Sequence, residues 1–170
     1  PETHSFDGGE IMDMDKLIKD VLDNPMLKGV TFSGGDPIEQ AHSFAYMAKA
    51  FKKANLNIWC YTGYLYDEQL LNDSRARCEY TDEMLSMLDV LVDGEFVEAL
   101  KDIRLVFRGS SNQRVIDVKK SLGQNEIVAA KGRAGRVDEK NDLIPKENHG
   151  YHTKYKGWES YFGIPAVKKT

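Results

Sequence analysis

The nine residues from Gly29 to Pro37, Gly-Val-Thr-Phe-Ser-Gly-Gly-Asp-Pro, constrain the fold more than any other stretch of this chain. Gly29-Val30-Thr31-Phe32 is a short β-prone run without polar alternation, as expected of a strand buried on both faces. It runs straight into Ser33-Gly34-Gly35 and then into a helix start. Asp36 suits the N-cap, Pro37 the first helical position, and Glu39 the third position of a capping box. Ile38, Ala41, Ala45, Ala48 and Phe51 line one face of the helix that follows, with Phe44 and Met47 beside them and Lys52 and Lys53 at its carboxyl end. Strand, tight loop and helix in immediate succession is the unit of a parallel α/β sheet.

The same alternation recurs along the chain. Met14, Leu17, Ile18, Val21 and Leu22 keep helical spacing until Asn24-Pro25 stops them. Asn57 to Tyr61 reads as a strand, broken at Thr62-Gly63. A short helix is expected around Asp67 to Leu71, and another opens at Thr81-Asp82-Glu83 with Met84, Leu85 and Leu88 as its apolar face. Val90-Leu91-Val92 is a buried-type strand that ends at Asp93-Gly94, and Arg104 to Phe107 is expected to be one more. Right-handed crossovers between such strands give an open or partial barrel with helices outside.

With 170 residues the chain is long enough for one domain with a true core. Apolar residues at 41% and charged residues at 29% place it among globular proteins rather than disordered ones. No run approaches the roughly 18 apolar residues of a membrane span, and the opening residues form no signal or transit peptide. A soluble, cytoplasmic protein is expected, one that lacks its true start because it begins at Pro1. Residues 129–170 hold nine Lys/Arg and five Asp/Glu, a net of +4, whereas residues 1–128 carry −8. The chain is therefore expected to divide at residue 128, with 129–170 a strap, a tail or a docking segment. Five aromatics between Tyr151 and Phe162 stand among its lysines. An acidic body argues against nucleic acid as a partner. His149 and His152 are expected to be exposed turn residues, and no metal is assigned to the side chains present.

Ligands in parallel α/β folds collect at the carboxyl ends of the strands. Three loops are expected there: Ser33 to Pro37, Tyr61 to Tyr64, and Arg108 to Asn112. Gly34 and Gly35 would let a ligand reach the backbone without a Cβ in the way, although a tight turn into the helix explains them equally. A phosphate cradle is the poorer reading, because no Lys-Ser/Thr follows the glycines and Asp36 would repel an anion. A ligand presenting an ammonium group fits better. Asp36 is open to two readings, helix cap or ligand contact. Asp93 is equally open, as an Asp-Gly turn residue or a group that orients a ligand.

These residues resemble a known family. Gly34-Gly35-Asp36-Pro37 is similar to the Gly-Gly-Asp/Glu-Pro motif with which radical S-adenosylmethionine (SAM) activating enzymes meet the methionine amino group of SAM. Together with Trp59 to Tyr64, Asp89 to Phe96 and Arg108 to Arg114, in that order, it resembles the activating proteins of anaerobic (class III) ribonucleoside-triphosphate reductase over residues 1–128. The resemblance implies a partial (β/α) barrel of radical SAM type, here without its first strand and its cluster loop. It implies SAM as cofactor, bound through Ser33, Gly34, Gly35 and Asp36, with Arg108 and Asn112 as further contacts or as braces of their loop, and a [4Fe–4S] cluster beside it. It also implies the reductase's glycyl-radical subunit as partner and flavodoxin or ferredoxin as electron donor. In that family a reduced cluster cleaves SAM, and the resulting 5′-deoxyadenosyl radical takes a hydrogen from a glycine Cα of the reductase. The cluster sits in a Cys-x3-Cys-x2-Cys loop, expected just ahead of Pro1. The sequence has two cysteines, Cys60 and Cys78, at neither of the needed spacings, and Cys60 is expected in the core. No catalytic residue is assigned. The chain by itself is expected to be inactive, and a non-catalytic remnant that binds SAM weakly or docks on the reductase is the alternative.

Overall fold

The computed structural model describes residues 11–130. Helix α1 (Met14–Leu22) is capped by Asp13, whose carboxylate accepts from the Asp15 and Lys16 amides. Strands β1 (Gly29–Phe32), β2 (Asn57–Tyr61), β3 (Val90–Asp93) and β4 (Arg114–Asp117) form one sheet in the order β1-β2-β3-β4. The helices between and after them are α2 (Ala41–Lys53), α3 (Thr81–Met87) and α4 (Val118–Gln124). The first three strands are parallel, with Phe32 opposite Cys60 and Cys60 opposite Leu91. The fourth is antiparallel to β3, with Leu91 opposite Ile116. The result is a mixed α/β domain, parallel as expected as far as β3 and antiparallel beyond it.

Alternation along each strand sorts the sheet into two unlike faces. Phe32, Ile58, Cys60, Leu91 and Ile116 share one core with Ala45 and Phe51 of α2, Met84 and Leu85 of α3, Val118 of α4, and the half-buried Ile18 and Val21 of α1. All four helices therefore cover the same face. The opposite face carries Val90, Val92 and Val115, with Trp59 and Tyr61 packed beside them. For α2 and α3 this follows from topology: three parallel strands laid down in sequence order, joined by crossovers of the same hand, return both crossover helices to one side, and α1 and α4 pack beside them.

Gly29 marks the closest approach in the sheet. A Cβ there would lie 2.5 Å from the Asn57 carbonyl oxygen, a backbone atom that cannot yield, so only glycine lets β1 sit against β2 at this end.

Two expectations need correction. Arg104–Phe107 is not a strand. It forms the tip of a loop in which Phe107 has φ +65°, a left-handed conformation that breaks an extended run and strains a bulky residue. The fourth strand is Arg114–Asp117 instead, all four residues buried although charged at both ends. Arg114 is accommodated by ion pairs to Asp93 and Asp67, and the Asp117 carboxylate caps α4 through the Lys120 amide. The helix expected at Asp67 to Leu71 is one π-helical turn, Tyr66–Leu70. The expectations for residues 131–170, for His149 and His152, and for the opening residues 1–10 lie outside the described residues.

Candidate functional site

Because β1, β2 and β3 run parallel, the loops that follow them meet at one edge of the sheet, and the antiparallel β4 begins at that same edge, with Arg114 opposite Asp93. The loop after β1 is held by Asp36. Its carboxylate accepts from the Ile38 amide at 3.0 Å, which caps a 3-10 turn, Pro37–Gln40, leading into α2. It also accepts from the Thr62 hydroxyl at 2.9 Å and the Gly63 amide at 2.9 Å in the loop after β2. Burial pushes the Asp36 carboxyl above the ordinary carboxylate value, against the pull of those three donors. Asp36 is thus the helix cap that one reading foresaw, and a tie between two loops that neither reading foresaw. Glu39 closes no capping box. It turns to Tyr64, whose hydroxyl donates to it, while Arg75 lies 3.8 Å from its carboxylate. Burial and the Glu39 carboxylate push the Tyr64 phenol up to about 12.

Ser33, Gly34 and Gly35 stand exposed just ahead of this anchored residue. Gly34 has φ +111°, a conformation that side chains rarely adopt, and open space surrounds the position a Cβ would take at both glycines. The glycine pair is therefore not demanded by packing. At Gly34 the backbone requires glycine, and at Gly35 neither the backbone nor a neighbour does.

The third expected loop divides. Arg108 is 6% exposed and its guanidinium donates to the Gln113 carbonyl at 2.7 Å, so it braces its own loop. Asn112 turns its amide NH2 to the Glu95 carbonyl at 2.7 Å, which fixes the amide orientation and leaves its Oδ1 buried with no hydrogen-bond donor among the described residues. It thereby joins the β3 and β4 loops. Sequence reasoning missed Gln113, which ties this edge together. Its Oε1 accepts from the Gly109 and Ser110 amides, and its Nε2 donates to the Gly94 carbonyl. A glutamine beside a loop carries no spacing signal that could have found it. Asp93 is spent on Arg114 and on the Tyr66 amide at 2.8 Å.

The site is an edge of open backbone rather than a closed pocket. A groove of about 310 Å³ lies at the other end of the strands, between α1, Lys28 and the α2–β2 turn at Asn55. It brings together no carboxylate, thiol or imidazole.

A [4Fe–4S] cluster does not fit the thiols present. Such clusters are held by several cysteine thiolates. Cys60 lies in the helix-covered core, where burial pushes its thiol far up, and Cys78 is exposed near the start of α3. Among the described residues no group of three or more His, Cys, Asp or Glu side chains could hold a metal ion. None of their helices is long and apolar enough to cross a membrane.

Residues 1–116 match the model of a family described as 4Fe-4S single cluster domain. The chain is also similar to proteins named anaerobic ribonucleoside-triphosphate reductase-activating protein. It is 37% identical to that of Salmonella typhi over 106 residues, covering 59% of this chain and 64% of the relative. To that of Escherichia coli K12 it is 36% identical over 107 residues, with the same coverage. To that of Haemophilus influenzae it is 36% identical over 118 residues, 64% of this chain and 70% of the relative. The chain thus spans somewhat less than two thirds of the first two relatives. No solved structure matches it. By the family model and these identities, the chain belongs to the 4Fe-4S single cluster domain family, in the group of anaerobic ribonucleoside-triphosphate reductase-activating proteins.

Proposed function

We propose that this chain is the SAM-binding part of an enzyme that activates anaerobic ribonucleotide reductase by generating a glycyl radical on it. The observation that carries the reading is the Gly34-Gly35 loop, open at the carboxyl edge of the sheet although packing requires neither glycine. Ser33, Gly34 and Gly35 would offer backbone to the methionine end of SAM, and the nearby Asp36 charge favours its ammonium over an anion. The hydrogen bonds Asp36 accepts from Ile38, Thr62 and Gly63 make it the residue that positions this backbone. Arg108 and Asn112 remain further candidates for contact at the same edge, each also bracing it through a backbone carbonyl, that of Gln113 and that of Glu95. Bound SAM supplies the adenosyl group through which hydrogen is abstracted, while the chain's own residues orient the ligand. Because the cysteines here do not suit the cluster, no step is assigned to it.

The one-sided helix layer supports a sheet that is part of a (β/α) barrel of radical SAM type, with the face of Trp59, Tyr61, Val90 and Val92, opposite the described helices, on the inside. The partner is then the reductase's glycyl-radical subunit, and the electron donor a small flavodoxin or ferredoxin. The test is Gly35→Val in this chain, with SAM binding followed by equilibrium dialysis: the variant should bind SAM more weakly while its far-UV circular dichroism stays that of the parent. Gly123→Ala in α4, where a Cβ also meets open space, is the control. SAM binding by the Gly35 variant equal to the parent's would return the glycines to the role of a simple turn.

A further inference from the structure

We propose that Tyr64 is a positioning residue for the Gly34-Gly35 loop: its hydroxyl, held on Glu39, sets the angle at which that open backbone is presented to SAM. The ligand rests on the SAM reading above, whereas the tie rests on geometry alone.

The 3-10 turn Pro37–Gln40 follows the glycine loop directly, and it is fastened to the loop after β2 at two points. Asp36, its cap, makes the first attachment by accepting from the Thr62 hydroxyl and the Gly63 amide. Glu39, within the turn, makes the second by accepting from the Tyr64 hydroxyl. A turn held at one residue can still pivot about it, and a second attachment removes that freedom. Ser33, Gly34 and Gly35 are exposed, and nothing lies within 4 Å of the Cβ position at either glycine. Their orientation is therefore set by β1 behind them and by this turn ahead.

Tyr64 is itself firmly placed. Its amide donates to the Thr62 hydroxyl oxygen at 3.1 Å, and its carbonyl accepts from the Gly94 amide at 3.1 Å. The residue thus joins the loops after β2 and β3 through its backbone before its side chain reaches the turn after β1. Arg75 completes the group, its guanidinium 3.4 Å from the phenol oxygen and 3.8 Å from the Glu39 carboxylate. Burial and Glu39 push the Tyr64 phenol up to about 12, so the hydroxyl keeps its proton and donates throughout the neutral range. A hydroxyl donating to a carboxylate is roughly twice as strong as a bond between neutral groups. Phenylalanine would pack the ring equally well, so the hydroxyl is what this position adds.

In the full chain, Tyr64→Phe should weaken SAM binding in equilibrium dialysis about fivefold or more, the order of one lost hydrogen bond. In the ligand-free protein it should lower the ¹⁵N order parameters of Gly34 and Gly35 while that of Ile58 holds. Tyr46→Phe is the matched control, since it removes a bond of the same kind, to Asp15 at 2.7 Å between α2 and α1, and should change neither reading. Glu39→Gln separates the tie from the charge, because its amide oxygen still accepts from Tyr64. It should bind SAM like the parent, whereas Glu39→Ala should match Tyr64→Phe, and the double variant should be no weaker than the weaker single. Equal losses in Glu39→Gln and Glu39→Ala would mean that the carboxylate acts by its charge, which overturns the tie. Unchanged order parameters in Tyr64→Phe overturn it as well, and lowered ones with unchanged SAM affinity overturn its bearing on the ligand. Should Tyr64→Phe unfold, the two Glu39 variants decide by the same measurements. A parent that binds no SAM removes the SAM reading and the presentation to it, and the order parameters then decide the tie by themselves.

Discussion

Asp36 and Thr62 meet across the sheet edge with the Thr62 hydroxyl 2.9 Å from each Asp36 carboxylate oxygen, so the residue that caps the helix after β1 also ties that loop to the one after β2. The relationship gives Asp36 a structural reason to follow the glycines: it anchors the loop that carries them.

Asp36→Ala should therefore cost about 1–3 kcal/mol of stability, because it removes a cap and leaves the buried Thr62 hydroxyl without its Asp36 acceptor. Asp36→Asn should cost less in the cap but still lose the Gly63 contact, where two N–H donors would face each other. Urea unfolding of the two variants measures both. No change in midpoint for either would show that the loops are held by other means.

Asp36 and Asp89 respond to acid in opposite senses. Burial works to raise the Asp89 carboxyl, but Lys119, Lys52 and the Ile58 amide outweigh it and hold it below the ordinary value. The unfolded state then binds the proton more readily, so the stability Asp89 contributes is present above roughly pH 4 and is lost as pH falls through its lowered folded value. Asp36, raised by burial, contributes stability that is present below its unfolded value and is lost as pH rises through the folded one. Asp89→Asn should destabilise the protein at pH 7 and flatten the acid limb of a stability–pH curve. An acid limb as steep as the parent's would assign that limb to other carboxylates.

How far the sequence revealed this arrangement depended on where charges were buried. The β1 loop and α2 were legible because cap, proline and apolar stripe agree, and Ile38, Ala41, Ala45, Ala48 and Phe51 are all buried as their spacing requires. Strand β4 was hidden because Arg114 and Asp117 flank only two apolar residues. Nothing local reveals that Asp93 and Asp67, 21 and 47 residues earlier, neutralise Arg114. Arg104–Phe107 misled for the converse reason. Its β-prone side chains suit a strand, but sheet membership depends on available partners, and β3 had already paired with β4. In the loops, the Asp36 cap could be read from the order of residues, whereas the carbonyls that Arg108 and Asn112 reach, those of Gln113 and Glu95, are set by how the β3 and β4 loops fold together.

Reconstitution of these 170 residues with iron and sulfide should give no stable [4Fe–4S] spectrum, since one of the two cysteines is locked in the core. Iron analysis after gel filtration checks this. Roughly four irons per chain, the content of one such cluster, would mean that Cys60 leaves the core to bind.

The most direct measurement of the central claim is a titration of the ¹⁵N-labelled chain with SAM, followed by amide chemical shifts at ligand concentrations high enough to populate a weak complex. The account predicts shifts at Ser33, Gly34, Gly35 and Gly63, none at Leu27 or Asn55 at the opposite end of the strands, and loss of the pattern in Gly35→Val. Shifts confined to the Leu27–Asn55 end, or an identical pattern in the Gly35 variant, would contradict the assignment of this edge to SAM.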